Sequence, residues 1–270
     1  MNLQEYISKR IIVSAEFEDI FSHFYLAENK SARDIHKTLV PSFQTIMVFS
    51  FGMPIRFNTK QNTSIEIDKC IILGPIKQPI EYTLPVGAEM LVVNFKDDAF
   101  YRFFGQIMLS DHLPINPDDL LNENCFTNLW ALLKNTDKTK RIDLILEFCK
   151  PYLQKREKTF EHFTSLQNDY TVLNPIKIIA QETNQSERTV QLNHKKYFGY
   201  TAKEKSRYQK FIKVIELLQN QRTKTDWFTI IEIGGYYDQS QLIHDFRHFL
   251  NLSPNQYLKF QEDICQSEPK

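Results

Sequence analysis

The chain has 270 residues, which is long enough for one large domain or for two smaller domains that each bury a core. Apolar residues make up 42% and aromatic residues 13%, a composition that excludes a disordered protein. The 33 basic and 33 acidic residues balance, so net charge alone predicts no polyanionic partner. The four cysteines are scattered along the chain and favour neither a disulfide framework nor a zinc site: Cys70, Cys125, Cys149 and Cys265.

The beginning of the chain, MNLQEYISKRIIVSAEF, has no apolar segment of the kind that a secretory signal contains. No stretch of the sequence approaches the roughly 18 consecutive apolar residues of a membrane span. We therefore expect a cytoplasmic protein with no membrane partner.

Residues 10–95 are predicted to be rich in β-strands. Short runs of β-branched and aromatic residues lie between glycine and proline turns, at residues 43–52, 55–59, 64–73, 80–84 and 89–95. This pattern predicts a sandwich or a small barrel. Four phenylalanines in the region are candidates either for the lining of an apolar ligand pocket or for ordinary sandwich core: Phe43, Phe49, Phe51 and Phe57.

From Lys96 onward the apolar period changes to that of helices. The segments DDAFYRFFGQIM, CFTNLWALLKN and RIDLILEFCKPYLQKR predict helices that flank the β-rich region. A polar stretch follows, and we place the domain boundary there, with a first domain of residues 1–165 and a second of residues 166–270.

The second domain carries the start and stop signals of successive helices. Asn174-Pro175, Ser186, Asp226 and Asp238 are predicted to open helices, and Thr201 with Glu204 forms a capping box. Two blocks, residues 186–205 and 238–257, align without gaps at an offset of 52. A short apolar helix and a tight turn precede each block, so the chain is predicted to contain two helix-turn-helix units joined by one long helix.

These two blocks resemble the DNA-binding region of the AraC/XylS family of bacterial transcription regulators. The stretch IIEIGGYYDQSQLIHDFRHFLNLSPNQYLK, together with SERTVQ and KKYFG, has the family's motif pieces at the family's spacing over about residues 174–260. The segment from Pro175 to Lys259 also holds 13 Lys/Arg against 8 Asp/Glu, a net charge of about +5 that suits a nucleic-acid partner.

The resemblance implies sequence-specific binding of double-stranded DNA and a role in transcription regulation. A recognition helix fits the major groove, and two such helices on one chain can enter successive grooves about 34 Å apart. The residues that the resemblance assigns to base contacts are Arg188, Gln191, Leu192, Gln239, Ser240, Gln241 and His244. Those assigned to phosphate contacts are Ser186, Lys195, Lys196, Lys203 and Arg247.

The first unit departs from the family pattern at two positions. His194 stands where the second unit has Phe246, which places an imidazole on the inner face of the first recognition helix. Leu192 stands where many members have arginine, so the first helix is expected to read fewer bases or to contact a thymine methyl group.

The first domain resembles the cupin-like domain that precedes the DNA-binding region in some of these regulators. The expected fold is therefore α+β: a cupin-like β-sandwich or barrel with flanking helices, then an all-α double helix-turn-helix domain. Such domains sense a small molecule or mediate dimerisation. The resemblance therefore leaves open whether the chain binds an effector, whether it contacts RNA polymerase, and whether it is a monomer or a homodimer. His23 and His36 stand thirteen residues apart without an H-x-H, so no metal, no cofactor and no enzymatic activity are predicted.

Two other classes of protein stay open on the sequence. A DNA-repair enzyme with a nucleophilic cysteine can carry a similar DNA-binding segment, but it needs an activated thiolate, and neither Cys125 nor Cys149 adjoins a histidine. A DNA-binding protein without regulatory output would bind DNA with little sequence preference.

Overall fold

In the computed structural model, two β-sheets are followed by a helical region. The described residues are 6–58, 64–105, 114–121, 123–156, 160–161, 163, 175–220, 226–259 and 264–265. The strands are β1 (Tyr6–Ile11), β2 (Phe21–Asn29), β3 (Ile35–Leu39), β4 (Ile46–Gly52), β5 (Ile55–Asn58), β6 (Ser64–Ile67), β7 (Cys70–Leu73), β8 (Ile80–Leu84), β9 (Ala88–Phe95) and β10 (Ile264–Cys265).

The strands form two five-stranded sheets that make the predicted sandwich. One sheet has the order β1-β2-β9-β4-β7 and the other the order β10-β3-β8-β5-β6, and the pairs are antiparallel except β10 with β3. Every residue of β9 is buried, because side chains alternate between two apolar clusters on the two faces of its sheet. Met90 and Val92 point between the sheets, whereas Leu91 and Val93 point under the flanking helices.

Two features of the sheets were not predicted. Residues 64–73 were expected to form one strand, but they form β6 and β7 in different sheets, because the chain bends at Asp68 and Lys69 and crosses the sandwich. The end of the chain, expected to be all-α, contributes β10, in which Ile264 and Cys265 pair with Thr38 and Leu39.

The predicted flanking helices are α1 (Ala99–Phe104), α3 (Cys125–Lys134) and α4 (Arg141–Cys149), and a short helix that was not predicted, α2 (Pro117–Leu121), lies between α1 and α3. They cover the outer face of the first sheet with an apolar cluster. The Trp130 indole donates a hydrogen bond to the carbonyl of Ser50 at 2.7 Å, which ties α3 to β4. The buried Arg141 guanidinium pairs with Glu89 at 2.8 Å and ties α4 to β9.

The helices of the second region are α5 (Pro175–Glu182), α6 (Glu187–Phe198), α7 (Ala202–Asn220), α8 (Trp227–Gly234), α9 (Gln239–Leu250) and α10 (Pro254–Lys259). The α5–α6 and α8–α9 pairs are the two predicted helix-turn-helix units, and α7 joins them. This agrees with the predicted fold class. The domain boundary at residues 165 and 166 and the cap at Asn174 lie outside the described residues.

One apolar cluster contains the inner faces of both helix-turn-helix units and also residues of the β-rich region. The Phe43 ring stacks on Tyr208 with centroids 4.6 Å apart and meets Tyr200 edge-on at 5.1 Å. The Tyr208 hydroxyl donates to the carbonyl of Pro41 at 2.6 Å. Phe43 was considered as a pocket-lining ring of the sandwich, and it instead joins the sandwich to the helices.

Candidate nucleic-acid interface

The first helix-turn-helix unit is formed by α5 and α6. Asn184 adopts a left-handed conformation with φ of 51° in the turn, and the Ser186 hydroxyl accepts a hydrogen bond from the Thr189 amide at 3.1 Å. Gly199 ends the helix with φ of 74°, in the conformation that glycine adopts without a steric penalty. These caps agree with the predicted ones and fix which face of α6 packs inward.

The inner face of α6 is apolar apart from one imidazole. Val190, His194, Tyr197 and Phe198 are buried. All residues of this unit that are assigned to DNA contacts are exposed to solvent: Ser186, Arg188, Gln191, Leu192, Lys195 and Lys196. Leu192 is 62% exposed, and because single exposed leucines are common on protein surfaces, its contact with DNA stays a prediction.

Two of the lysines assigned to phosphate contacts have different surroundings. Lys196 lies with its ammonium 5.2 Å from the centre of the Tyr101 ring, so this side chain faces the flanking helix α1 in the present arrangement. Lys203 is exposed in the first turn of α7, after the Thr201–Glu204 capping box. Their phosphate contacts stay predictions.

The second unit is formed by α8 and α9. The Asp238 carboxylate accepts a hydrogen bond from the Gln241 amide at 2.8 Å, which caps α9 as predicted. Gly234 is required where α8 meets α7, because a Cβ atom there would lie 2.6 Å from Cγ2 of Val214. The residues assigned to DNA contacts are again all exposed, and they are Gln239, Ser240, Gln241, His244 and Arg247.

A polar cluster behind α9 was missed by the sequence reasoning. The Arg207 guanidinium of α7 donates to the buried Asp245 carboxylate of α9 at 2.7 Å, and the Tyr236 hydroxyl donates to its second oxygen at 2.9 Å. Burial, followed by the adjacent Asp245, raises the pKa of Tyr236, so its hydroxyl keeps its proton. An aspartate among Leu242, Phe246 and the other apolar positions of α9 was the available sequence signal, since a buried carboxylate requires partners.

His194 lies on the inner face of α6, as the alignment with Phe246 predicts. Its Nδ1 is 2.9 Å from the carbonyl of Tyr200, and since a carbonyl only accepts, Nδ1 carries the proton. Burial lowers the pKa of His194 to about 4. The imidazole is therefore neutral at physiological pH and lies among the rings of Phe163, Phe198 and Tyr200.

A cavity of about 30 Å³ lies between the two sheets. It is lined by apolar residues, including Phe57 and Met90, and by the polar side chains of His23 and Asn94. A water molecule requires roughly 10–15 Å³, whereas pockets for drug-sized ligands measure about 300–1,000 Å³. In this conformation the sandwich has room for water but not for such a ligand.

Of the four candidate phenylalanines, Phe57 lines this cavity, whereas Phe49 and Phe51 lie in the cluster under the flanking helices.

Burial, followed by the charge of Arg10, lowers the pKa of His23 to about 3. Among the described residues, no group of three or more His, Cys, Asp or Glu side chains is placed to hold a metal ion.

The three cysteines whose side chains are described have none of the features of a nucleophile. Burial raises the pKa of Cys70 and of Cys149 well above the usual range of a thiol. The half-buried Cys125 also has a raised pKa, through burial and then the charge of Asp118. Each thiol keeps its proton at neutral pH, which weighs against the alternative of a cysteine-dependent repair enzyme.

No protein-family model and no curated protein matches the chain. Among solved structures, the chain is similar to ToxT from Vibrio cholerae at 14% identity and a TM-score of 0.45, over 95% of this chain and 98% of that one. The sandwich is similar to an RmlC-like cupin protein from Desulfovibrio desulfuricans at 13% identity and a TM-score of 0.27, over 34% and 83% of the two chains.

A further similarity is to a putative ethanolamine utilization protein Q from Salmonella typhimurium, at 9% identity and a TM-score of 0.27, over 33% and 68% of the two chains. At these values the similarities say nothing about function. In the part of the chain that the structure describes, no helix combines the length and the apolar character needed to cross a bilayer.

Proposed function

We propose that the chain is a sequence-specific DNA-binding transcription regulator that reads two successive major grooves with α6 and α9. The observation that carries the proposal is the division of both helices into two faces. Most of their apolar residues are buried in one cluster, and all residues assigned to DNA contacts on the two helices, including Leu192, are exposed. Arginine and glutamine each present paired groups that match guanine and adenine edges, so the exposed residue types suit base readout.

The proposed division of labour assigns residues 166–270 to DNA binding and residues 1–165 to sensing a small molecule or to dimerisation. Contacts between the two regions support a coupling of these roles. Phe43 packs on Tyr208, and Lys77 of the β-rich region forms an ion pair with Glu204 at the start of α7 at 3.4 Å. Any coupling of this kind is reciprocal, so DNA would shift effector affinity by the same factor.

The test is selection of bound duplexes from a random DNA pool, followed by affinity measurements on the selected site. Arg188→Ala should cost about 1–3 kcal/mol and relax the preference at particular positions. Lys195→Ala should weaken binding to every sequence and reduce the salt slope by about one unit. Equal weakening of all sequences by Arg188→Ala would show that this arginine reads no base.

A fragment of residues 168–270 should fold and bind duplex DNA, since both helix-turn-helix units and the connecting α7 lie within it. If the fragment is folded by circular dichroism and binds no duplex at low salt, the proposed function is wrong. Competition with random DNA separates a regulator from a protein that binds DNA without sequence preference, because a regulator's selected site should survive a large excess of competitor.

A further inference from the structure

The side chain of His244 is held by a residue on a different helix. His244 is exposed on α9, and its Nδ1 lies 2.9 Å from an Nη atom of Arg207, which belongs to α7. The same Nη atom is 2.6 Å from an oxygen of Asp245, and Nε of Arg207 is 2.7 Å from that oxygen. Arg207 therefore contacts two consecutive residues of the second recognition helix.

Arg207 is fixed in this position from behind. The Asp245 side chain is only 4% exposed, and its second oxygen accepts the hydrogen bond of the Tyr236 hydroxyl. The Arg207 guanidinium also lies 5.4 Å from the centre of the Phe249 ring. A rigid, planar guanidinium with its carboxylate partner fixed directs the remaining N–H group toward His244.

The hydrogen bond determines the tautomer of the imidazole. A guanidinium has five donors and no acceptor, so Nδ1 of His244 must be the acceptor. With Nδ1 as the acceptor, the imidazole carries its proton on Nε2. With 73% of the side chain exposed, Nε2–H is available on the same side of α9 as Ser240 and Gln241, one helical turn away.

We propose that Arg207 is a positioning residue that makes His244 a hydrogen-bond donor toward the major groove, so that the second recognition helix requires an acceptor at one base and rejects cytosine there. The proposal rests on the proposed DNA-binding function. Guanine, adenine and thymine each present an acceptor in the major groove, as N7, O6 or O4, whereas cytosine presents its amino donor. A donor facing that amino group would leave both groups without a partner.

The tautomer is tested on the full chain without DNA, by nitrogen NMR of histidine-labelled protein at pH 8. The signals of His244 are assigned as those that disappear in His244→Gln. The wild type should show the tautomer with the proton on Nε2, and Arg207→Lys, which keeps a positive charge beside Asp245 but has no fork of donors, should show a mixture. A proton on Nδ1 in the wild type would overturn the proposal.

The readout is tested with a panel of duplexes in which each position of the selected site carries each base in turn. At one position the wild type should bind cytosine about three- to tenfold more weakly than the preferred base, as expected for one hydrogen bond. Arg207→Lys should reduce that ratio to below about twofold and leave the ratios at other positions unchanged. Arg56→Lys, the same change in an exposed ion pair of the β-rich region, is the matched control and should keep the cytosine ratio.

Two outcomes of the duplex panel would overturn the proposal. One is a cytosine ratio that Arg207→Lys leaves intact, and the other is an even loss of all ratios, which would show a purely structural role. A chain that binds no duplex refutes DNA binding itself, and this failure is distinguishable because the NMR experiment still reports the tautomer.

Discussion

The buried imidazole of His194 should make the chain lose stability in mild acid, and His194→Phe should remove part of that loss. The pKa of His194 is about 4 in the folded chain and about 6.5 in an unfolded chain, where the imidazole is solvated. As the pH falls, the unfolded state therefore binds the proton first. The stability associated with the neutral imidazole is complete above pH 6.5 and is lost as the pH falls from 6.5 toward 4.

The difference between the two pKa values sets the magnitude. A shift of about 2.5 units corresponds to about 3 kcal/mol when both forms are fully titrated, and to about 2 kcal/mol at pH 5 relative to pH 8. At pH 8, phenylalanine loses the hydrogen bond to the Tyr200 carbonyl, which costs about 1 kcal/mol, but it buries a more apolar ring. The two effects oppose each other, so His194→Phe should change stability little at pH 8.

The assay is urea unfolding of the full chain at pH 8 and pH 5, followed by circular dichroism. The wild type should lose about 2 kcal/mol more than His194→Phe between the two values. His23 contributes an acid loss of its own in both proteins, because burial also lowers its pKa, to about 3.

The converse variant, Phe246→His, should gain acid sensitivity at the equivalent position of α9. An equal loss in the wild type and in His194→Phe would show that the imidazole is not held neutral by burial. A large loss of DNA affinity in a folded His194→Phe protein would show that this side chain faces DNA.

Four further variants test contacts within and between the β-rich and helical regions. Phe43→Ala should destabilise the chain by about 3 kcal/mol and loosen the contact between the sandwich and the helices. The DNA footprint of the full-length variant should then approach that of the fragment of residues 168–270. An unchanged footprint and an unchanged stability would contradict this expectation. Arg141→Met should cost about 3 kcal/mol because it leaves a buried carboxylate with fewer partners, whereas Arg56→Met at an exposed ion pair should cost less than about 1 kcal/mol in urea unfolding. Gly234→Ala should weaken binding through the second unit only, measured with half-site duplexes, because its methyl group would displace Val214.

Local signals in the sequence were sufficient to predict where the helices of the second region begin and which of their faces is buried. Ser186 and Asp238 cap helices as predicted, because an N-cap depends on a side chain and on amides only two or three residues away. The gapless alignment of the two units was also sufficient to place His194 in the interior. Both inferences need no knowledge of distant parts of the chain.

Features that depend on distant residues could not be predicted. The division of residues 64–73 between two sheets is determined by pairing with β4 and β5, and β10 exists only because β3 leaves an edge for it. The position of Phe43 among the helices could not be separated from an ordinary core position by local pattern. Arg207 likewise has no local signal, since its partners Asp245 and His244 are 38 and 37 residues away in the chain.

Arg207 and Tyr208 are neighbours on α7, and between them they connect the β-rich region to the exposed face of α9 that we propose contacts bases. Tyr208 holds the segment of Pro41 and Phe43 through its hydroxyl and its ring, and Arg207 holds Asp245 and His244. A helix transmits a displacement along its length because its backbone hydrogen bonds resist local deformation. Because Arg207 and Tyr208 lie in one turn of α7, we expect a ligand or a second subunit that moves the Phe43 segment to displace the turn that orients His244, and a change in the cytosine ratio of Phe43→Ala would measure this coupling.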